Sequence, residues 1–528
     1  MEKIQKGYSF IASIGIIINY SIGVGVFGLP FSFYSGGLPL SMILTSVMLL
    51  LTLITSMYTI EAMTRTCKRK TNSDELDQEI YDFTLISGMW HSKQGKILTS
   101  ILIIVVNYCY LWGYVATGSN TLMTMYWLFK NQPQMCDTQT WNSQCNLSYY
   151  ICVAVFMILT VPLAYVNLSQ QGFLQLFMAF YRIIMFSILL ITITIQLFHG
   201  PVQLGNHKID TAWTNEWKWG NFGILFTHIS VAFSLQSCLP DALQPVGNKK
   251  QVGLVTIIGS LISGIIYILV GALCASVFTA SSTNPVTINY EYYTGRSGGF
   301  GIGNPTIIGY IIRYAILIFP IVNILNEYPL VCYTLATNIS STLPKSYGGK
   351  WRKYAIISCA VFPPFALACL VGSVKTIASL TGIVAFILSY VFPCAFVLAS
   401  RRISVARNGI EALKNRFYSW YSTTTIKNYY ISKHEGIRAS VQFLLLKSIN
   451  SYSILIAIHP FNLNFSDSSE DKNHTAEYVV GYIMLGICAL FILISIGEII
   501  GKTIYRIRHK KDEADVIPQA AEDGDDGN

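Results

Sequence analysis

SIGIIINYSIGVGVFGLPFSFYSGG, residues 13–37, decides how the chain is read. The stretch is apolar enough to lie in lipid, yet Gly23, Gly25, Gly28 and Pro30 fall together in its middle. Glycine costs about 1 kcal/mol in a helix interior and proline about 3 kcal/mol. Gathered at membrane depth, these residues predict a break in the helix. Such a break bares backbone N–H and C=O groups, which suit a carboxylate and a cation. Close packing through GxxxG-type contacts competes with that reading. The GxG followed so soon by GLP favours the break.

The rest of the chain fits a membrane setting. Of its 528 residues 52% are hydrophobic and 12% charged, where a soluble domain carries about 25% charged residues. A crossing helix needs roughly 20 apolar residues. Such segments are read at 8–33, 38–62, 97–129, 149–167, 172–198, 221–243, 252–279, 305–335, 353–373, 376–399 and 478–501, with a weaker twelfth at 440–459 around Lys447. Backbone groups in lipid must be satisfied within the segment, so these are helices. No cleavable signal peptide is expected at the N-terminus. The net charge of +9 does not point to nucleic acid, because the basic residues lie between apolar segments.

Lys and Arg also set the orientation. With a cytosolic N-terminus, loops 63–96, 336–352 and 400–438 are cytosolic, the last with eight basic residues from Arg401 to Arg438. Loops 34–37, 130–148, 199–220 and 280–304 hold at most two each. If 440–459 also crosses, the basic stretch from Lys502 to Lys511 is cytosolic and the sequons at Asn464 and Asn473 are usable. A cytosolic amphipathic helix is the other reading of 440–459. The sequon at Asn146 is extracytosolic, and those at Asn167 and Asn338 are not expected to be used. The acidic tail is expected to be disordered. Cys136 and Cys145 share one polar loop and can pair if it is extracytosolic.

Segment 221–245, NFGILFTHISVAFSLQSCLPDALQP, places His228 and Ser230, Ser234 and Ser237 in an apolar span. Their i, i+4, i+7 spacing puts the three serines on one face. That face either lines a cavity or bonds back to its own helix. Arg182, Arg313 and Glu327 also fall within spans, and each needs a partner or water. Arg313 and Glu327 lie fourteen residues apart, ~21 Å along a straight helix, too far to pair. Glu61 is expected near an interface. No nucleophile–base pair, metal cluster or phosphate loop is present, so no enzyme and no cofactor is expected. No ring of charges suggests a channel.

Four patterns in order carry a resemblance: Asn19-x-x-x-Gly23-x-Gly25 with the GLP that follows; Phe222, Gly223, Phe233, Leu239 and Pro240; Arg313 with Tyr328-Pro329-Leu330; and SLTGIVAFILSYVFPCAFVL with Gly382, Phe386 and Pro393. Together they resemble the amino acid/auxin permease family of sodium- or proton-coupled neutral amino-acid transporters, over 8–399 and again 478–501. The resemblance implies an all-α, LeuT-like 5+5 inverted repeat, with helices 1 and 6 broken at the substrate site. The chain is read as a transport core over 1–399, followed by a basic cytosolic loop (400–439), one or two further spans (440–501) and a polar tail (502–528); the long 400–477 segment departs from the family's short connection between its last two helices.

The resemblance also implies an amino-acid substrate at Ser21, Ile22, Gly23, Val24, Gly25, Phe27, Tyr108, Phe233 and Ser234, with Tyr110 among the side chains that set the size of the pocket. Asn19 and Glu327 are implied as ion-coupling residues for H+ or Na+. In sodium-coupled relatives an Asn at the Asn19 position and a Thr in helix 8 contribute to the ion site. Here no Thr precedes Pro329, which leaves a proton at Glu327 as the alternative. The rival reading is an amino-acid sensor of the same fold that signals through a cytosolic partner at loop 400–438. The membrane is either the cell surface or an acidic internal compartment.

Overall fold

The computed structural model describes residues 8–408, less 72–81, 91–92, 131–142, 166–171, 200–201, 205–206, 210–215, 244–245, 297–298, 302–303 and 343–349. The expected spans at 440–459 and 478–501, the sequons at Asn464 and Asn473, most of the basic loop, the acidic tail and Cys136 lie outside the described residues. Cys145 is disulfide-bonded.

The opening stretch is two helices, α1 (Phe10–Ser21) and α2 (Leu29–Gly36), joined through a 3-10 turn at Val24–Gly28. The two halves are bent by 50°. Ser9 caps α1 by accepting from the Ala12 N–H at 3.4 Å, and Pro30 lies in the first turn of α2, where its missing N–H costs nothing. Then come α3 (Leu38–Thr71), α4 (Phe83–Trp90), α5 (Lys93–Phe129), α6 (Ser143–Ala164) and α7 (Gly172–His199). A small antiparallel hairpin follows, β1 (Val202–Leu204) with β2 (His207–Ile209).

The second half begins with another interrupted helix, α8 (Phe222–Ala232) and α9 (Leu239–Leu243), and continues with α10 (Val252–Phe278) and α11 (Ile307–Thr342). It closes with α12 (Lys350–Val361) and α13 (Pro363–Leu370) as one span, then α14 (Val374–Phe386), a π turn at Ile387–Val391 and α15 (Phe392–Asn408) as another. Each half thus makes five crossings and opens with a broken helix. Five is odd, so the second half enters the membrane from the opposite side, and the two are inverted repeats.

Among the described residues eight helices are long and apolar enough to cross, and the bent pair α1–α2 makes a ninth. The interrupted pair α8–α9, with neither piece long enough to cross alone, takes the place of a tenth crossing in a 5+5 arrangement. Their outer faces carry exposed Ile43, Leu50, Ile101, Ile158, Ile184 and Ile265, as lipid contact requires. Inside, hydroxyls bond back to their own helices: Thr45 to the Ser41 carbonyl at 2.7 Å and Thr55 to the Leu51 carbonyl at 2.8 Å.

Several expectations are corrected. Segment 63–96 is not a plain loop. The helix from Leu38 runs on to Thr71, and α4 buries Phe83, Ile86 and Trp90. Glu61, near the end of its span, is buried and takes two hydrogen bonds from Arg65, one turn on. The loop 280–304 holds a 3-10 segment, Val286–Tyr292, with Tyr290 fully buried. The last described helix continues to Asn408, past the expected end at 399.

Close backbone crossings hold the site elements in place. A Cβ at Gly382 of α14 would sit 2.2 Å from the Thr227 carbonyl oxygen of α8. No side-chain adjustment relieves a clash with backbone. Gly382→Ala is therefore expected to force α14 off α8 and to lower the thermal unfolding midpoint of detergent-purified protein. The expected loss is about 1–3 kcal/mol, as for overpacking. An unchanged midpoint would show that the two helices do not cross this closely.

Candidate functional site

Helix α1 stops because Ile22 leaves helical geometry (φ −87°, ψ 82°) and Gly23 is extended (φ −91°, ψ −162°). The Ile22 N–H still donates to Ile18 O at 2.8 Å, but the Gly23 N–H turns to Ser21 O at 3.1 Å. In a continuous helix Gly23 N–H would donate to Asn19 O. The break thus releases the Asn19 and Ser21 carbonyls from the helical ladder, and both find side-chain donors. Arg182 Nη1 donates to Asn19 O at 2.6 Å, and the Tyr267 hydroxyl donates to Ser21 O.

Helix α8 stops at Ala232 with no glycine or proline in the unwound residues 233–238. Phe233 N–H still reaches Ile229 O at 3.0 Å, and Leu235 N–H turns to Phe233 O at 3.0 Å. The segment is pinned by side chains instead. Gln236 Nε2 donates to Thr55 Oγ1 at 2.9 Å, and the Tyr110 and Ser234 hydroxyls share a hydrogen bond of 2.5 Å. Since the helix ends before Ser234, the expected face of Ser230, Ser234 and Ser237 does not form. Ser230 bonds back to Phe226 O at 2.7 Å.

The two breaks cross. A Cβ at Gly25 would lie 3.2 Å from Ala232 Cα and 3.3 Å from Ala232 N. Between them and α5, α11 and α14 lies a cavity of about 130 Å³. Asn19, Ser21, Gly23, Val24, Gly25, Ser234 and Glu327 line it. The remaining expected residues stand outside that lining. Ile22 is 1% exposed in the core. Phe27 packs against Phe186 and Phe319, with ring centroids 6.1 and 5.3 Å away. Phe233 meets Tyr267 edge-on at 4.9 Å. Tyr108 donates to the Cys359 carbonyl at 2.7 Å.

Tyr110, Tyr114 and Asn107 line the cavity from α5, together with Thr117. Their 3-4-3 spacing makes one polar stripe on an apolar helix, and that periodicity is the signal from which Asn107, Tyr114 and Thr117 could have been read beside Tyr110. His228 also lines the cavity. Its Nδ1 lies 2.8 Å from Ile224 O, so Nδ1 carries the proton and Nε2 accepts from Asn284 Nδ2 at 3.4 Å.

Glu327 is the one carboxylate in the lining, and it is 6% exposed. Its Oε1 accepts from Arg182 Nη2 and from Asn323 Nδ2, the latter at 3.2 Å. Arg182 Nε donates to Asn323 Oδ1 at 2.5 Å. The other carboxylate oxygen, Oε2, accepts from neither Arg182 nor Asn323, and the Tyr114 hydroxyl interacts with the same carboxylate. Oε2 lies, with the Tyr114 hydroxyl, beside Gly23: a Cβ there would be 3.5 Å from Oε2 and 3.7 Å from that hydroxyl. Arg313, also within a span, donates instead to the Tyr293 carbonyl at 2.8 Å.

Among solved structures, MhsT in complex with L-phenylalanine aligns with 79% of this chain and 100% of its own, at a TM-score of 0.50 and 10% identity. That likeness shows a LeuT-like fold. Among relatives, the transmembrane protein 104 homolog of Drosophila melanogaster is 24% identical over 320 residues, 58% of this chain and 59% of the fly protein. Human transmembrane protein 104 is 20% identical over 473 residues, 76% of this chain and 90% of the human protein. A family model described as transmembrane amino acid transporter protein matches residues 6–418. An integral, multi-pass membrane protein with two broken helices facing one cavity, this chain belongs to the transmembrane amino acid transporter family.

Proposed function

We propose that the protein is a secondary active transporter that carries an amino acid across its membrane by alternating access, driven by an ion gradient. One observation carries this reading: a single cavity is bounded by both helix breaks, with side-chain-free backbone at Gly23 and Gly25 on its wall. The substrate carboxylate meets the first amides of the 3-10 turn at Val24–Gly28, which have no partner within the turn. The amine meets Glu327 Oε2 across Gly23, a negative group buried next to the place where a positive one would sit. The crossing of Gly25 and Ala232 lets one break move only if the other follows, as rocking of one repeat against the other requires. A proton or sodium gradient supplies the driving force, and the Lys and Arg bias of the loops supports a cytosolic N-terminus.

The test is uptake of a labelled amino-acid mixture into proteoliposomes, with sodium and proton gradients imposed separately. Accumulation above the equilibrium level under a gradient is the expected result. Saturable binding with no accumulation under either would replace transport by sensing.

A further inference from the structure

We propose that Arg182 is the resident cation of the transport site, so that the seam between α1, α7 and α11 closes without sodium. The inference rests on the transporter reading for its consequence, though its geometry stands apart from it.

The guanidinium is 0% exposed. Its donors reach three oxygens on two other elements: Nη1 to the Asn19 carbonyl of α1 at 2.6 Å, Nε to Asn323 Oδ1 of α11 at 2.5 Å, and Nη2 to Glu327 Oε1 of α11. These are the oxygens a hard monovalent cation would seek. One is a carbonyl set free by the break in α1, one an amide oxygen, one a carboxylate. Each already accepts from the same planar group. Arg stays charged in any protein setting and fits such a fan better than a point charge does.

Charge balance points the same way. Arg182 and Glu327 neutralise each other across their ion pair. A sodium ion added here would face a guanidinium at close range in a medium of low dielectric, with no second carboxylate to offset it. Arg182 thus does permanently, from α7, what a bound ion would do transiently. It holds the broken end of α1 to the opposite repeat.

Two readouts on the full-length protein test this. The first is the thermal unfolding midpoint of purified protein in detergent, in sodium chloride against N-methyl-D-glucamine chloride. The wild-type midpoint is expected to be the same in both. Arg182→Ala removes the cation and leaves Glu327 and the freed carbonyl exposed to one another. Its midpoint is expected to fall and then to rise saturably with sodium, or with millimolar guanidinium. Arg182→Lys, which keeps the charge and folds more safely, is expected to stay insensitive to sodium. The second readout is uptake, whose rate in wild type is expected to be equal with and without sodium.

A saturable rise of the wild-type midpoint with sodium overturns the proposal, as does uptake that requires sodium. So does an Arg182→Ala midpoint that neither cation moves. If unfolding behaves as expected while no uptake occurs in any medium, the resident cation stands and the transport reading falls.

Discussion

Gly25→Val is expected to abolish uptake while the protein still inserts and purifies as a monodisperse species. The argument is spatial. The position of a Cβ on Gly25 lies 3.2–3.3 Å from Ala232 Cα and N and from Val231 Cγ1. The first two are backbone atoms of the other broken helix, and a contact that tight is relieved only if one break moves. Valine adds two methyl groups beyond that Cβ. They push the unwound segments apart or fill the cavity against the bare amides, and either outcome removes the pocket. The cost to stability is modest, about 1–3 kcal/mol as for overpacking, because the packing of α8 on α14 and of α10 on α1, α2 and α3 is untouched. The cost to transport is total, since the carboxylate loses its backbone partners. Gly25→Ala is expected to be intermediate. Uptake and substrate-induced thermal stabilisation, measured together, separate loss of the pocket from loss of the fold. Normal uptake by Gly25→Val would remove the crossing of the two breaks from the mechanism.

The two breaks were not equally legible. In helix 1, glycine and proline mark the interruption, although the chain leaves the helix at Ile22 and Gly23, ahead of the GLP. Pro30 does not make the break; it starts the helix that follows. In helix 6 the unwound residues Phe233–Cys238 hold neither glycine nor proline, and only Pro240, one residue into α9, hints that a helix begins there. What keeps the segment open is tertiary: Gln236 on Thr55, and Ser234 with Tyr110. Sequence pattern cannot show partners from α3 and α5. The same limit hid α4. Its run FTLISGMW is too short to span and lies in a stretch rich in charge, so its burial against the rest of the bundle could not be foreseen.

The expected aromatic residues Phe27, Tyr108 and Phe233 lie outside the cavity lining. All three are the right types for a substrate pocket. Which side of an irregular segment Phe27 and Phe233 occupy depends on dihedrals that no periodicity fixes, whereas Tyr108, on the regular helix α5, lies off the stripe that lines the cavity. Tyr114, one turn beyond Tyr110 on the regular helix α5, was the more readable position. Arg182 and Glu327 were each recognisable as intramembrane charges needing a partner. That they are each other's partner is a fact of topology, because 145 residues separate them.

Glu327→Gln is expected to be the most destabilising of the conservative substitutions in the core. The amide keeps the shape of the carboxylate but not its charge, and it leaves the Arg182 guanidinium fully buried against neutral acceptors only: Asn19 O, Asn323 Oδ1 and the new amide oxygen. Removing one partner of a buried ion pair costs about 3–5 kcal/mol, because an uncompensated charge remains in a low-dielectric interior. Pairing both charges away costs less. Arg182→Met combined with Glu327→Leu is expected to recover part of the loss, as apolar replacements of buried pairs often do. Recovery stays incomplete, because Asn323 and the freed Asn19 carbonyl then lack their donor, and a buried polar group left unsatisfied costs about 1–3 kcal/mol. The order of thermal midpoints is therefore wild type, then the double variant, then Glu327→Gln. Uptake follows a different order. The double variant restores the fold but not Oε2, the group set opposite the substrate amine, so it should be stable and inactive. A double variant less stable than Glu327→Gln would mean that the pair is not held together as a buried salt bridge. One that is stable and transports would mean that the carboxylate serves the fold alone, leaving the amine to the carbonyls of the two breaks.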